Sequence, residues 1–262
     1  MIRSLMTAAS GMKAQQMQVD TIANNIANAN TTAFKKNILS FRSLLYQTYK
    51  EPGSPTGAGQ MNPSGLQVGT GTEAAGSSKI FQQGELEPNS GEFAMAIQGE
   101  GFFRVKLPNG EYRYTRDGDF RRDGNGKIVT SAGYELDGAP AIGQDYIAIE
   151  ISEDGNIYGM KAEGDLPQQL GQIYLWRFSN AAGLKAQGAN MFTETISSGP
   201  ARTAKAGEKG AGILRHHYLE RSNVQIVDEL VALILAQRNY EVNSRAIKAA
   251  DEMLQQTNQM VR

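Results

Sequence analysis

Ile226, Leu233, Tyr240, Ile247, Leu254 and Val261 recur at a strict seven-residue spacing along the end of the chain, and none of them is polar. Apolar residues repeating at that interval fall on one narrow stripe of an α-helix, the seam along which two helices wind together. The series therefore predicts a long amphipathic helix over 222–262. Leu230, Ala246, Ala250, Met253 and Met260 widen the stripe, while Glu241, Arg245, Lys248 and Glu252 lie off it. Ser222 and Gln225 stand at capping-box spacing, and Asp228 and Glu229 fall in the first turns, where the helix dipole favours carboxylates. So narrow a stripe on so long a helix requires a partner helix.

The partner is at the other end of the chain. Leu5, Met12, Val19 and Ile26 are also spaced by seven, with Ala8, Ile22 and Ala29 at the intervening positions and Gln15 as the one polar entry. Pairing residues 1–30 with 222–262 gives a helical domain made from both termini. Gly11 weakens the first helix by about 1 kcal/mol relative to alanine, so it depends on that pairing.

Composition narrows the function. The 262 residues carry 26 Lys+Arg against 27 Asp+Glu, a balance without the basic excess of a nucleic-acid binder. No cysteine is present, which removes disulfides and thiolate chemistry. The longest clean apolar run, Leu230 to Ala236, is far short of the ~18 residues of a membrane span. The first residues lack the continuous apolar region of a cleaved secretory signal.

Between the helices the pattern changes twice. Phe34, Ile38, Phe41, Leu45 and Tyr49 recur at three- or four-residue intervals, a helix-like spacing. Residues 51–65 then hold Pro52, Pro55, Pro63 and several glycines with no periodicity, the composition of a tether. From 66 to 205 the period becomes two. Phe93, Met95 and Ile97 alternate with small residues, Tyr112 and Tyr114 precede a turn at Asp117-Gly118, and Tyr174, Trp176 and Phe178 alternate again. Short strands punctuated by turns predict a β-rich domain, a barrel or a sandwich. The expected class is α+β: 1–30 with 222–262 as a helical core, 31–65 with 206–221 as connecting segments, and 66–205 as the β domain.

Four stretches carry a family resemblance. Ala23-Asn-Asn-Ile-Ala-Asn-Ala-Asn-Thr-Thr-Ala-Phe-Lys35 resembles the N-terminal signature of the bacterial flagellar rod and hook proteins, with Ala33 where many members have glycine. Gln98-Gly-Glu-Gly-Phe-Phe-Arg-Val105 and Tyr114-Thr-Arg-Asp-Gly-Asp-Phe120 are similar to the middle of those proteins, and Gln237-Arg-Asn-Tyr-Glu241 to their C-terminal helix. The motif residues so marked are Asn25, Asn28, Asn30, Phe34, Gly99, Gly101, Phe102, Phe103, Asp117 and Gly118. The Pro/Gly stretch and the chain length resemble the distal-rod branch of the family.

The resemblance implies a structural subunit that polymerises into a rigid tube crossing the periplasm and carrying motor torque to the hook. Subunits would pack through Leu5, Met12, Val19, Ile22, Ile26, Ile226, Leu233, Tyr240, Ile247, Leu254 and Val261. It also implies export through the flagellar type III apparatus and partners in the proximal rod and hook proteins. Outer-membrane and peptidoglycan ring proteins are further candidates. The alternatives are a proximal rod or hook protein, or a carbohydrate-active enzyme with helical ends.

No residue constellation calls for catalysis, a cofactor or a metal. Asp117, Asp119, Asp123 and Asn125 fail the spacing of a calcium loop, since arginine or isoleucine stands where glycine is needed. Gly99-Glu-Gly101 lacks the third glycine of a dinucleotide loop. His216 and His217 are neighbours, and on regular structure adjacent side chains point apart, so they read as packing residues.

Overall fold

The computed structural model describes every residue except 1, 54, 57–59, 62, 144, 162–165 and 261–262. It is α+β in the order expected: α1 spans Ile2–Ala27, strands follow, and α2 spans Ile226–Met260. The chain divides into two compact units. One comprises Met1–Ile26, Asn37–Ser78 and Ile226–Arg262; the other comprises Ala27–Lys36 and Lys79–Gln225. This division differs from the sequence-based one, because residues 37–78 group with the helices and 27–36 with the strands.

In the helical unit α2 has 35 residues, about 52 Å at ~1.5 Å per residue. Asp228 and Glu229 occupy its first turn. The capping box expected from Ser222 does not form. The helix begins at Ile226, and the Ser222 hydroxyl accepts from Val224 N at 3.3 Å instead, a local turn that competes with capping.

Residues 37–79 form a long antiparallel ribbon. Asn37–Ser43 pairs with Thr72–Lys79, Tyr46–Lys50 with Leu66–Gly69, and Pro55–Thr56 with Gln60–Met61. The helix-like spacing of Phe34 to Tyr49 is thus overridden. Aromatic and β-branched residues here find a ladder partner, and Leu44 N donates to Gly71 O at 2.9 Å to join the ribbon's halves. Within 51–65, Ser54, Gly57 to Gly59 and Asn62 lie outside the described residues. The ribbon is fastened to α1 by Thr72 N donating to the Ser10 hydroxyl at 3.3 Å, and by Arg3, whose guanidinium bonds the Tyr49 hydroxyl and lies over its ring.

In the β unit, nine antiparallel strands form one sheet among the described residues. Its order across the sheet is Lys185–Gly188, Met191–Thr193, Tyr112–Thr115, Phe103–Lys106, Glu135–Leu136, Ile128–Thr130, Asp119–Arg122, Phe93–Gln98 and Ile213–His216. Smaller sheets accompany it, notably Ala148–Ile151 with Asn156–Met160 and Gln168–Gln172, and Tyr174–Arg177 with Arg202–Lys205. Phe93 to Ile97 are all buried, so this strand is covered on both faces. Phe103, Val105, Ile128, Leu136, Ile157 and Leu214 pack with it in one core. A second cluster is aromatic, with Phe102 edge-on to Phe81 and Phe178 at 5.3 and 5.6 Å.

Adjacent histidines do not point apart here. His217 has φ 61°, which breaks the strand and turns its ring onto that of His216 with centroids 3.8 Å apart. The alternation rule fails because the backbone between them is not regular.

Candidate assembly interface

The face α1 and α2 share is small and polar. A Cβ on Gly11 would meet Asn243 Nδ2 at 3.1 Å, and Asn25 Nδ2 donates to Glu229 at 3.2 Å. The same interval runs forward along α1 and backward along α2 between these contacts. The helices are therefore antiparallel in a single register, which places Gln18 opposite Ala236 and Ser4 opposite Ala250. Ala236, Ala250 and Glu229 are buried, and the Gln18 side-chain Oε1 is buried without a hydrogen-bond partner. Asn25 also makes a reciprocal pair with Asn37: its Nδ2 donates to Asn37 O and its Oδ1 accepts from Asn37 N, both at 3.0 Å. Polar groups at such positions fix register at some cost in stability.

The residues of the seven-residue series have mixed positions. Ile22 is buried, and Leu5, Met12, Val19, Ile26, Leu233, Ile247 and Leu254 are half-buried. Ile226 and Tyr240 are exposed, and Val261 lies outside the described residues. Of the row Glu229, Ala236, Asn243 and Ala250, only Ala250 was placed on the expected stripe, and the row as such was not read from the sequence. Its seven-residue spacing, at small or polar side chains, is the trace that could have found it.

Among the described residues the opposite face of α2 has no cover. Val227, Val231, Ile234, Leu235 and Val242 are all more than half exposed, with Val227 at 73 %. Val227 precedes Glu229 by two residues, a turn of about 200° around the helix, so this ridge faces away from α1. Arg238 lies on the same line. α1 covers the small, polar face of α2 and leaves the apolar ridge open.

The motif residues other than Asn25 lie in the β unit, around a buried junction. Its centre is Glu220, whose side chain is fully buried. Lys35 Nζ donates to Glu220 Oε1 at 2.5 Å, Arg116 Nε donates to Oε2 at 2.9 Å, and Gly84 N donates to Oε1 at 2.9 Å. Arg116 also donates to the carbonyls of Ile97, Gly99 and Gly101. Gly99 and Gly101 have φ of +115° and +147°, which glycine adopts without penalty and which turns those carbonyls onto the guanidinium. Burial pushes the Lys35 ammonium below its ordinary range, and Glu220 opposes that shift. Three segments far apart in sequence meet here, so no local pattern could have shown it.

Around this centre, Phe34 is buried with Ala29 and Val224 and lies under the Lys79 ammonium at 4.8 Å. Asn28 Oδ1 accepts from the Thr31 hydroxyl, and Asn30 Oδ1 from Arg221. Phe102 belongs to the aromatic cluster and Phe103 to the main core. Asp117 accepts from Asp119 N at 3.2 Å, and burial raises its carboxyl above the usual range despite that bond. At Gly118 a Cβ would lie 1.6 Å from Met95 O, so only glycine fits.

Residues 5–35 match the family described as flagella basal body rod protein. Residues 96–159 match the flagellar hook protein FlgE/F/G D1 domain, and 215–260 match the flagellar basal body rod FlgEFG protein C-terminal region. The flagellar basal-body rod protein FlgG of Borreliella burgdorferi is 46 % identical over 264 residues, covering all of both chains. That of Caulobacter vibrioides is also 46 % identical, over 99 % of each chain, and that of Bacillus subtilis is 37 % identical over 98 %. The flagellar hook protein FlgE of Helicobacter mustelae is 39 % identical but covers 53 % of this chain and 31 % of its own.

Proposed function

The chain belongs to the flagellar basal-body rod protein FlgG family, and from that premise we propose that it polymerises through the outward face of α2. It is a structural subunit of the flagellar rod, not an enzyme. Neither the hook-protein nor the carbohydrate-active alternative is favoured, since the FlgG relatives match from end to end.

The observation that carries the assembly reading is the uncovered ridge Val227, Val231, Ile234, Leu235 and Val242. A contiguous apolar ridge on a helix already paired on its other side is the signature of a further partner. A head-to-tail contact that does not close on itself yields an open helical filament. The small, polar register of the α1 seam keeps the pair together as one element, and the ridge then packs against helices of neighbouring copies. In this reading the helical unit forms the core of the polymer, and the residues of the seven-residue series that remain exposed, Ile226 and Tyr240, join its lateral contacts. The polymer ends meet proximal rod and hook proteins, the shaft meets outer-membrane and peptidoglycan ring proteins, and the chain arrives through the flagellar type III apparatus.

The test is Val231→Asp combined with Ile234→Asp. Each places a carboxylate on the ridge without touching the α1 seam. Pelleting and electron microscopy should show filaments from the unaltered chain and none from the variant, with the melting of the β unit unchanged. Filaments of normal length from the variant would mean that this face stays in solvent.

A further inference from the structure

Arg177 and Arg202 stand directly opposite each other on the antiparallel strands Tyr174–Arg177 and Arg202–Lys205. Like charges in that position repel and weaken the strand pair. Lys209 adds a third cation to the same cleft, about 350 Å³ in volume, whose walls include Phe178 and the hydroxyl residues Ser179 and Thr203. One carboxylate answers these three cations: Glu100 pairs with Arg177 Nη2. Arg177 Nη1 is engaged by the Lys209 carbonyl, and Arg177 Nε is buried without a hydrogen-bond partner. Among the described residues Arg202 and Lys209 have no ion-pair partner. Lys209 itself has φ 51°, a backbone conformation disfavoured for lysine.

A repulsive arginine pair and a cleft that also holds Lys209 share one remedy, an anion. We propose that this cleft is a binding site for a carboxylate group. A planar guanidinium matches a carboxylate with two parallel hydrogen bonds, Lys209 supplies a point charge, and the two hydroxyls can complete the oxygen's shell. The aromatic wall of Phe178 accommodates a short carbon stem. The carboxylate comes either from a small free acid or from an acidic side chain of a second copy.

The first arm uses the unassembled full chain and sodium malonate, against sodium chloride at equal ionic strength. Malonate should raise the melting temperature by about 2–4 °C. Arg202→Gln, which removes the repulsion, should melt no lower than the unaltered chain in chloride and should lose the malonate response. No response in the unaltered chain, or an equal response in the variant, overturns the site.

The second arm identifies the source. A critical concentration for polymerisation raised about tenfold in Arg202→Gln, but not in the exposed control Lys185→Gln, assigns the carboxylate to a second copy. Unchanged polymerisation beside a malonate response assigns it to a free acid. If the unaltered chain fails to polymerise, the assembly reading falls, while the malonate arm still decides the cleft.

Discussion

Two apolar runs of this chain have opposite fates. Phe93 to Ile97 lies in the middle of the β unit, with every side chain buried at 2 % exposure or less. Leu230 to Ala236 is as apolar in sequence, yet Leu230, Val231, Ile234 and Leu235 are exposed and only Ala236 is buried. The β unit closes its own core and pairs its own buried charges. The helical unit closes one face of α2 and leaves the other open. In a structural subunit this is the division expected between a part that must fold alone and a part that is completed by neighbours. Burying an apolar side chain is worth roughly 1.5–3 kcal/mol, so a ridge of five holds ample energy for association.

The comparison breaks most visibly at Glu220. Glu220→Gln leaves Lys35 and Arg116 buried without their counter-charge, and should destabilise the β unit by about 3–5 kcal/mol. Urea unfolding followed by the fluorescence of Trp176, which lies in that unit and is the only tryptophan, measures it. A loss under about 1 kcal/mol would show that the junction is not what holds residues 27–36 and 217–225 to the sheet.

A smaller effect is expected in the helical unit. Asn25→Ala removes the reciprocal pair with Asn37 and the bond to Glu229, at a cost of about 2 kcal/mol. Far-UV circular dichroism should show earlier melting of the helices while the Trp176 transition stays in place. If both transitions moved together, the two units would be one cooperative block and the contrast between them would dissolve.

The smallest effect is a pH dependence of the β unit. His216 Nδ1 accepts from Ile151 N at 3.4 Å and Nε2 faces Glu92 O at 2.9 Å, which fixes the neutral ring with its proton on Nε2. Burial lowers its pKa, the neighbouring His217 adds to that, and Glu92 and Glu150 oppose it. The unfolded chain therefore takes up the proton first as pH falls. The stability His216 contributes is present above the unfolded value of about 6.5 and is lost as pH falls below it. The β-unit melting temperature should drop between about pH 7 and about pH 5, and His216→Gln should flatten that slope. An identical slope in the variant would assign the dependence to the carboxylates.

Much of this was legible in the residues. The two seven-residue series required paired terminal helices, because a narrow stripe on a long helix has no other way to leave water. The period of two and the turn residues required strands in the middle, and the asparagine-rich and glycine-rich motifs carried the family. Three features were decided only by tertiary structure. The spacing of Phe34 to Tyr49 is compatible with helix or strand, and the ladder partner at 66–79 settled it as strand. Periodicity marks apolar positions on α2 but cannot tell which face a partner fills, and the contacts with α1 fall at Glu229 and Asn243, in register with the buried Ala236 and Ala250. The junction of Lys35, Arg116 and Glu220 needs three segments to meet. A buried charge is tolerable only when its partners arrive through space, and sequence records distance along the chain alone.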